Sequence, residues 1–151
     1  MHNLYVSLGS NLGDREQIIR RALALLDERV GTVDAVSTFI ETMPWGFQSQ
    51  HPFLNAAALV HTMLSPRRCL LETQQIERDL GRTQKSTNGQ YHDRPIDIDL
   101  LLYDNLHVDE KDLTLPHPHM HERDFVMIPL REIPSAWLQA KRVSSVVKCT
   151  A

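Results

Sequence analysis

The run DRPIDIDLLLY, Asp93 to Tyr103, decides where the last strand of the sheet lies. Ile96, Ile98, Leu100, Leu101 and Leu102 make it apolar on both faces, as in a central strand. Yet Asp97 and Asp99 stand two residues apart within it. A strand alternates its faces, so both carboxylates point the same way, with Cα atoms about 6–7 Å apart. At an effective dielectric near 20, two bare charges at that distance repel by roughly 2.5 kcal/mol. One reading is a strand with a solvated acidic face. The other is a pair of hard oxygen ligands awaiting a counter-ion. Mg²⁺ suits such a pair, because it is commonly held by one or two carboxylates together with substrate phosphates.

The neighbouring segments bear on that choice. Immediately before the strand, the chain from Arg82 to Arg94 is polar and basic, with Arg82, Lys85, His92 and Arg94. Alone this reads as a mobile, solvated loop. Ahead of a metal-binding strand it reads as a clamp, in which cationic side chains hold phosphate oxygens from one side and metal from the other. After the strand comes LPHPHMHERDF. His117, His119 and His121 would share a face in an extended chain, which admits zinc. In a proline-bounded turn entering a helix they diverge. His117, between Pro116 and Pro118, is then rigidly placed for a phosphate, with Arg123 a helical turn on.

Further out, the chain alternates strands and helices. NLYVSLG reads as a first strand. Asp14 and Gln17 form a capping-box start for a helix whose stripe is Ile18, Ile19, Ala22, Leu25, Leu26 and Val30, with Gly31 as its stop. TVDAVSTFIET, residues 32–42, is a β-branched second strand, and FLNAAALVHT a third. Ser65, Pro66 and Gly81 punctuate a second helix with Cys69, Thr73, Ile76 and Leu80 on one stripe. A third helix runs from the Pro116/Pro118 entry towards Pro129. The order predicts an α+β, ferredoxin-like βαββαβ sandwich with a mainly antiparallel sheet and packed helices, a single domain over 1–151.

Composition narrows the function classes. The 151 residues are 42% hydrophobic and carry a net charge of −3, which gives no whole-chain case for nucleic acid or an anionic membrane. No run approaches the length of a membrane span, and the N-terminus lacks a signal-peptide pattern. Cys69 and Cys149 have no metal-type spacing, so a cytoplasmic protein is expected, with a monomer as default. GxxxxGK[ST] and GxGxxG are both missing, and SLGSNLGD is a weak glycine signal. Trp45, Phe47, Phe53 and Phe125 can be core. Alternatively, two facing aromatics can hold a flat ligand, and Asn55, on the face of Phe53, offers the donor and acceptor a heterocycle edge needs.

Taken together, SLGSNLGDR, FLNAA, IERDLGR, RPIDIDLLLY and LPHPHMHERDFVMIPL occur in an order and spacing that resemble the 6-hydroxymethyl-7,8-dihydropterin pyrophosphokinases of folate biosynthesis, across about residues 3–133. The resemblance implies transfer of the β,γ-diphosphate of ATP to the hydroxymethyl oxygen of the pterin, with release of AMP. It implies two Mg²⁺ ions on Asp97 and Asp99, a pterin stacked between Phe53 and Phe125, and Asn55 with backbone groups around Thr42 and Trp45 at its edge. Arg82 and Arg94 would grip the phosphates, assisted by Lys85. Gln74, Glu77, Ile98, Thr114, His117 and Arg123 would line the nucleotide site. The chain departs from the better-known bacterial pattern in a longer loop between Lys85 and Arg94, in Tyr91 as nearest counterpart of a tryptophan found there, and in Gln84 where many members are basic.

Overall fold

The computed structural model describes residues 1–43, 51–82 and 93–133. Trp45, Phe47, Gln84, Lys85, Tyr91, His92 and Cys149 lie outside the described residues, as does the chain from Pro134.

The elements are β1 (His2–Ser10), α1 (Arg15–Arg29), β2 (Gly31–Val36), β3 (Ile40–Thr42), β4 (Phe53–Thr62), α2 (Pro66–Asp79), β5 (Asp97–Tyr103), β6 (Val108–Glu110), β7 (Leu113–Leu115) and, after a single 3-10 turn at Met120–Glu122, α3 (Asp124–Arg131). Local chemistry sets the helix starts. The Asp14 carboxylate accepts the Gln17 N–H at 3.3 Å, and the Ser65 hydroxyl accepts that of Arg68 at 3.2 Å with Pro66 in the first turn. Just past the end of α2, Gly81 has a φ of +100°, which favours glycine, and the next N–H, that of Arg82, returns to the Glu77 carbonyl at 2.9 Å.

The sheet order is β2–β4–β1–β5, every pairing antiparallel, and β3 continues the β2 edge along the other end of β4. This is the expected ferredoxin-like arrangement. Leu4, Val6 and Leu8 of β1 alternate onto one face, where Ile19, Ala22 and Leu26 of α1 and Cys69 and Ile76 of α2 cover them. Each fully buried Leu, Ile or Val side chain there contributes about 1.5–3 kcal/mol. Tyr5, Ala57, Leu59, Leu101 and Leu102 face the opposite way, under Val126, Met127 and Leu130 of α3. α3 covers only part of that face.

Several details differ from the sequence reading, which has no β6–β7 hairpin and starts the third helix at the Pro116/Pro118 entry rather than at Asp124. The 32–42 strand is two strands: at the break the Ser37 hydroxyl takes the Ala57 N–H at 2.8 Å, while the Glu132 carboxylate takes the N–H and hydroxyl of Thr38 at 3.0 and 2.7 Å. Gly31 is the first residue of β2 rather than a helix stop; a Cβ there would lie 2.1 Å from the His61 carbonyl oxygen. β5 is an edge strand of the hydrogen-bonded sheet, not a central one. Its apolar run is buried because α2 and β7 pack on it, Leu113 and Leu115 joining Ile98, Leu100 and Tyr103 in one cluster, while Leu101 and Leu102 are covered on the opposite face by Met120 and α3. Leu101 is also an extra residue against β1, since Tyr5 pairs with Leu102 and Val6 with Leu100. That bulge puts Leu101 and Leu102 on one face, which alternation alone forbids.

Candidate active site

The uncovered part of the α3 face is a cleft of about 290 Å³. Its floor comes from three adjacent strands. Gly9 of β1 pairs with Asn55 of β4 on one side and Asp97 of β5 on the other, and Ser7 pairs with Ala57 and Asp99 in the next row. Gly9 is needed for space: a Cβ would stand 2.9 Å from the Asn55 amide oxygen and 3.4 Å from the Phe53 ring. Phe53, Thr42, Met43 and Phe125 line the cleft together with the charged or polar Arg82, Arg94, His117 and Arg123.

The tension between Asp97 and Asp99 is offset largely by arginine. Arg82 Nη1 donates to Asp97 Oδ1 at 2.6 Å and to Glu77 Oε2 at 2.9 Å, while Arg94 Nη2 donates to Asp97 Oδ2 at 3.2 Å. Glu77 is 1% exposed and Arg82 6%, so that pair is out of bulk water, while Asp97 is partly exposed. Glu77 also accepts the N–H of Ile98 at 2.8 Å, which ties α2 to the start of β5. Asp99 keeps part of its surface towards the cleft. Loss of water around it, and then repulsion from Asp97, push its carboxyl up to about 7, with Arg123 and Arg94 opposing the rise.

His117 enters the cleft because its N–H donates to the carbonyl of the bulged Leu101 at 2.9 Å. Burial, followed by the Arg123 charge, lowers its pKa to about 4. The ring is therefore neutral at neutral pH. Nδ1 accepts the His119 N–H at 3.2 Å, which leaves the proton on Nε2. The zinc reading fails here. His119 Nδ1 is 3.2 Å from Glu122, and among the described residues no three His, Cys, Asp or Glu side chains converge on a metal position.

Of the residues singled out from the sequence, Thr42, Phe53, Asn55, Arg82, Arg94, Asp97, Asp99, His117, Arg123 and Phe125 meet in this one cleft. Asn55 donates to the Thr42 hydroxyl at 2.6 Å. The Arg94 guanidinium lies 4.9 Å over the Phe53 ring, and that of Arg123 lies 5.6 Å over Phe125. Glu77 stands behind the wall and acts on it through Arg82. Gln74, Ile98 and Thr114 are not among the lining residues; Ile98 packs into the core beneath α1 and α2. Trp45 and Lys85 are outside the described residues. Sequence reasoning passed over Ser7 and Gly9. Their signal was there: they are the small residues alternating with Leu4, Val6 and Leu8.

The donor set suits Mg²⁺. Two carboxylates project from one strand face into the cleft, no third protein ligand converges among the described residues, and burial, then Asp97, raises the Asp99 carboxyl. Such a site leaves room for water and phosphate oxygens.

Comparison with other proteins bears on the family and the fold. A sequence model of the family described as 7,8-dihydro-6-hydroxymethylpterin-pyrophosphokinase (HPPK) matches residues 5–135. A 2-amino-4-hydroxy-6-hydroxymethyldihydropteridine pyrophosphokinase from Porphyromonas gingivalis is 54% identical over 136 residues, 89% of this chain and 92% of the relative. One of the same name from Bacillus subtilis is 45% identical over 135 residues, covering 88% and 79%. A crystal structure of an HPPK-DHPS in complex with substrates superposes with a TM-score of 0.73 at 13% identity, over 87% of this chain and 40% of that one. A Plasmodium falciparum HPPK-DHPS triple mutant gives 0.69 at 15%, over 87% and 39%. At those identities the structural likeness speaks for the fold. With the family match spanning most of its length, the chain belongs to the 7,8-dihydro-6-hydroxymethylpterin-pyrophosphokinase family.

Proposed function

We infer that this chain transfers the β,γ-diphosphate of ATP to the hydroxymethyl oxygen of 6-hydroxymethyl-7,8-dihydropterin, releasing AMP, in folate biosynthesis. The observation that carries this is one cleft that brings together a pair of phenylalanines and an amide with a paired carboxylate and three arginines.

Phe53 and Phe125 hold the flat pterin by stacking, and Asn55, oriented by Thr42, reads its edge. Trp45 is assigned beside Thr42 at that edge. Asp97 and Asp99 would hold two Mg²⁺ ions, which would supply positive charge against the triphosphate and Lewis acidity for the attack of the hydroxymethyl oxygen. The carboxylates are then ligands, and no strong protein base is required. Arg82 and Arg94 stabilise the charge of the migrating diphosphate. In the structure both guanidinium groups rest on Asp97, and a bound polyanion offers each a further acceptor. Lys85 is assigned to the same task. Neutral His117 donates from Nε2 without adding charge, and Arg123 completes the nucleotide wall. Glu77 holds Arg82 in place, and Gln74, Ile98 and Thr114 extend the nucleotide site beyond the cleft. On this reading the chain is one cytoplasmic, monomeric domain. No helix among the described residues is long and apolar enough to cross a membrane.

The deciding experiment mixes the protein with ATP, Mg²⁺ and the reduced pterin alcohol and analyses the products. AMP and a pterin diphosphate in equal amounts are expected. Phosphate or pyrophosphate release independent of pterin would instead make the protein a metal-dependent hydrolase.

A further inference from the structure

The turn between β1 and α1 carries the segment SNLGD, which the reaction as derived above does not use. Asn11 lies in it, 3% exposed. Its Oδ1 accepts the N–H of Arg94 at 2.7 Å. Its Nδ2 donates to Asp93 Oδ1 at 2.7 Å and to the His51 carbonyl at 3.2 Å. Its own N–H donates to the Arg94 carbonyl at 3.1 Å. One residue therefore grips the Arg94 main chain at both its N–H and its C=O. From that anchor the Arg94 side chain reaches Asp97 and covers Phe53.

The chemistry requires an amide. It must present an acceptor to an N–H and two donors to oxygens from a single short head group. Aspartate at this position would keep the shape and the acceptor. It would also turn a carboxylate towards the Asp93 carboxylate and the His51 carbonyl, with nothing to donate to either.

We propose that Asn11 is the positioning residue of Arg94: it fixes where the guanidinium enters the cleft by holding the Arg94 peptide and the neighbouring Asp93. The proposal rests on the assignment of Arg94 to the migrating diphosphate. The test is a set of kinetic cycles on the full chain, with Mg²⁺, ATP and the pterin alcohol all saturating. Asn11→Asp is expected to lower kcat about 10–100-fold in the wild-type background and less than about twofold in an Arg94→Ala background, because the positioned group is already gone. Asp93→Asn should restore Asn11→Asp to within roughly fivefold of wild type, since the new amide can donate to the new carboxylate. If Asn11→Asp does not fold, Asp93→Ala takes its place. It is expected to cost about 3–10-fold in kcat and to lose that effect in Arg94→Ala. A penalty of equal size in both backgrounds would be that of a merely structural residue and would overturn the proposal. So would an Asn11→Asp variant with wild-type kcat beside a slow Arg94→Ala. An Arg94→Ala variant with undiminished kcat removes the Arg94 assignment itself, and this proposal with it.

Discussion

The two faces of the sheet are made by the same strands and have opposite characters. Under α1 and α2 the residues are almost all aliphatic and fully enclosed. On the other face, the half beneath α3 is also apolar, while the half beyond it carries Asp97, Asp99, Asn55 and the arginines. The first face stabilises the fold by removing hydrocarbon from water. The second keeps like charges close together and relies on guanidinium groups to hold them. The comparison teaches that this scaffold separates stability from chemistry by strand face, and changes on each face should show up in different measurements.

The largest effect is expected at Asp97. Asp97→Ala should lower turnover on the order of 10³-fold in the product assay, while pterin affinity falls less than about tenfold. Near-normal turnover would mean that the charged face is not where the reaction is carried. Leu26→Ala, on the helix face, should do the reverse. It should cost about 2–5 kcal/mol in denaturant unfolding, with kcat per folded molecule unchanged within about threefold. A matching loss of kcat would show that the two faces are coupled.

Asp99→Asn sharpens the comparison through pH. Folding raises this carboxyl from 3.8 to about 7, so the folded protein binds the extra proton between those values. The group then costs nothing below about pH 4, and its full cost stands above about pH 7. In the presence of a chelator, Asp99→Asn should be the more stable protein at pH 8, by about 1–2 kcal/mol given the cleft water that still reaches Asp99. The gap should close as the pH falls to 4. A gap that stays constant across this range would remove the like-charge account. The smallest effect is expected at the aromatic wall. Phe125→Ala should weaken pterin binding by about 1 kcal/mol in calorimetry, and unchanged affinity would take Phe125 out of the site.

Much of this was legible in the sequence, for identifiable reasons. Period-2 alternation exposed β1, and capping residues marked α1 and α2. The acids of DRPIDIDLLLY pointed to one face of one strand, and the structure puts them there. What stayed hidden depends on partners far along the chain. The break at Ser37 exists because Ala57 and Glu132 lie across from it. The bulge at Leu101 follows from register against β1, and no local pattern announces it. The sequence also suggested a metal counter-ion for the carboxylates without revealing that Arg82 and Arg94 reach Asp97 themselves. Glu77 lay on the right helix, but its burial behind Arg82 depends on the end of β5 arriving beneath it.

Gly9 has a further consequence. The depth of the cleft at that point is set by a side chain that is missing, since even one methyl group would crowd Asn55 and Phe53. A competitor seated against this floor would be hard to evade by substitution there. Every residue larger than glycine that kept the competitor out would intrude on the natural ligand as well.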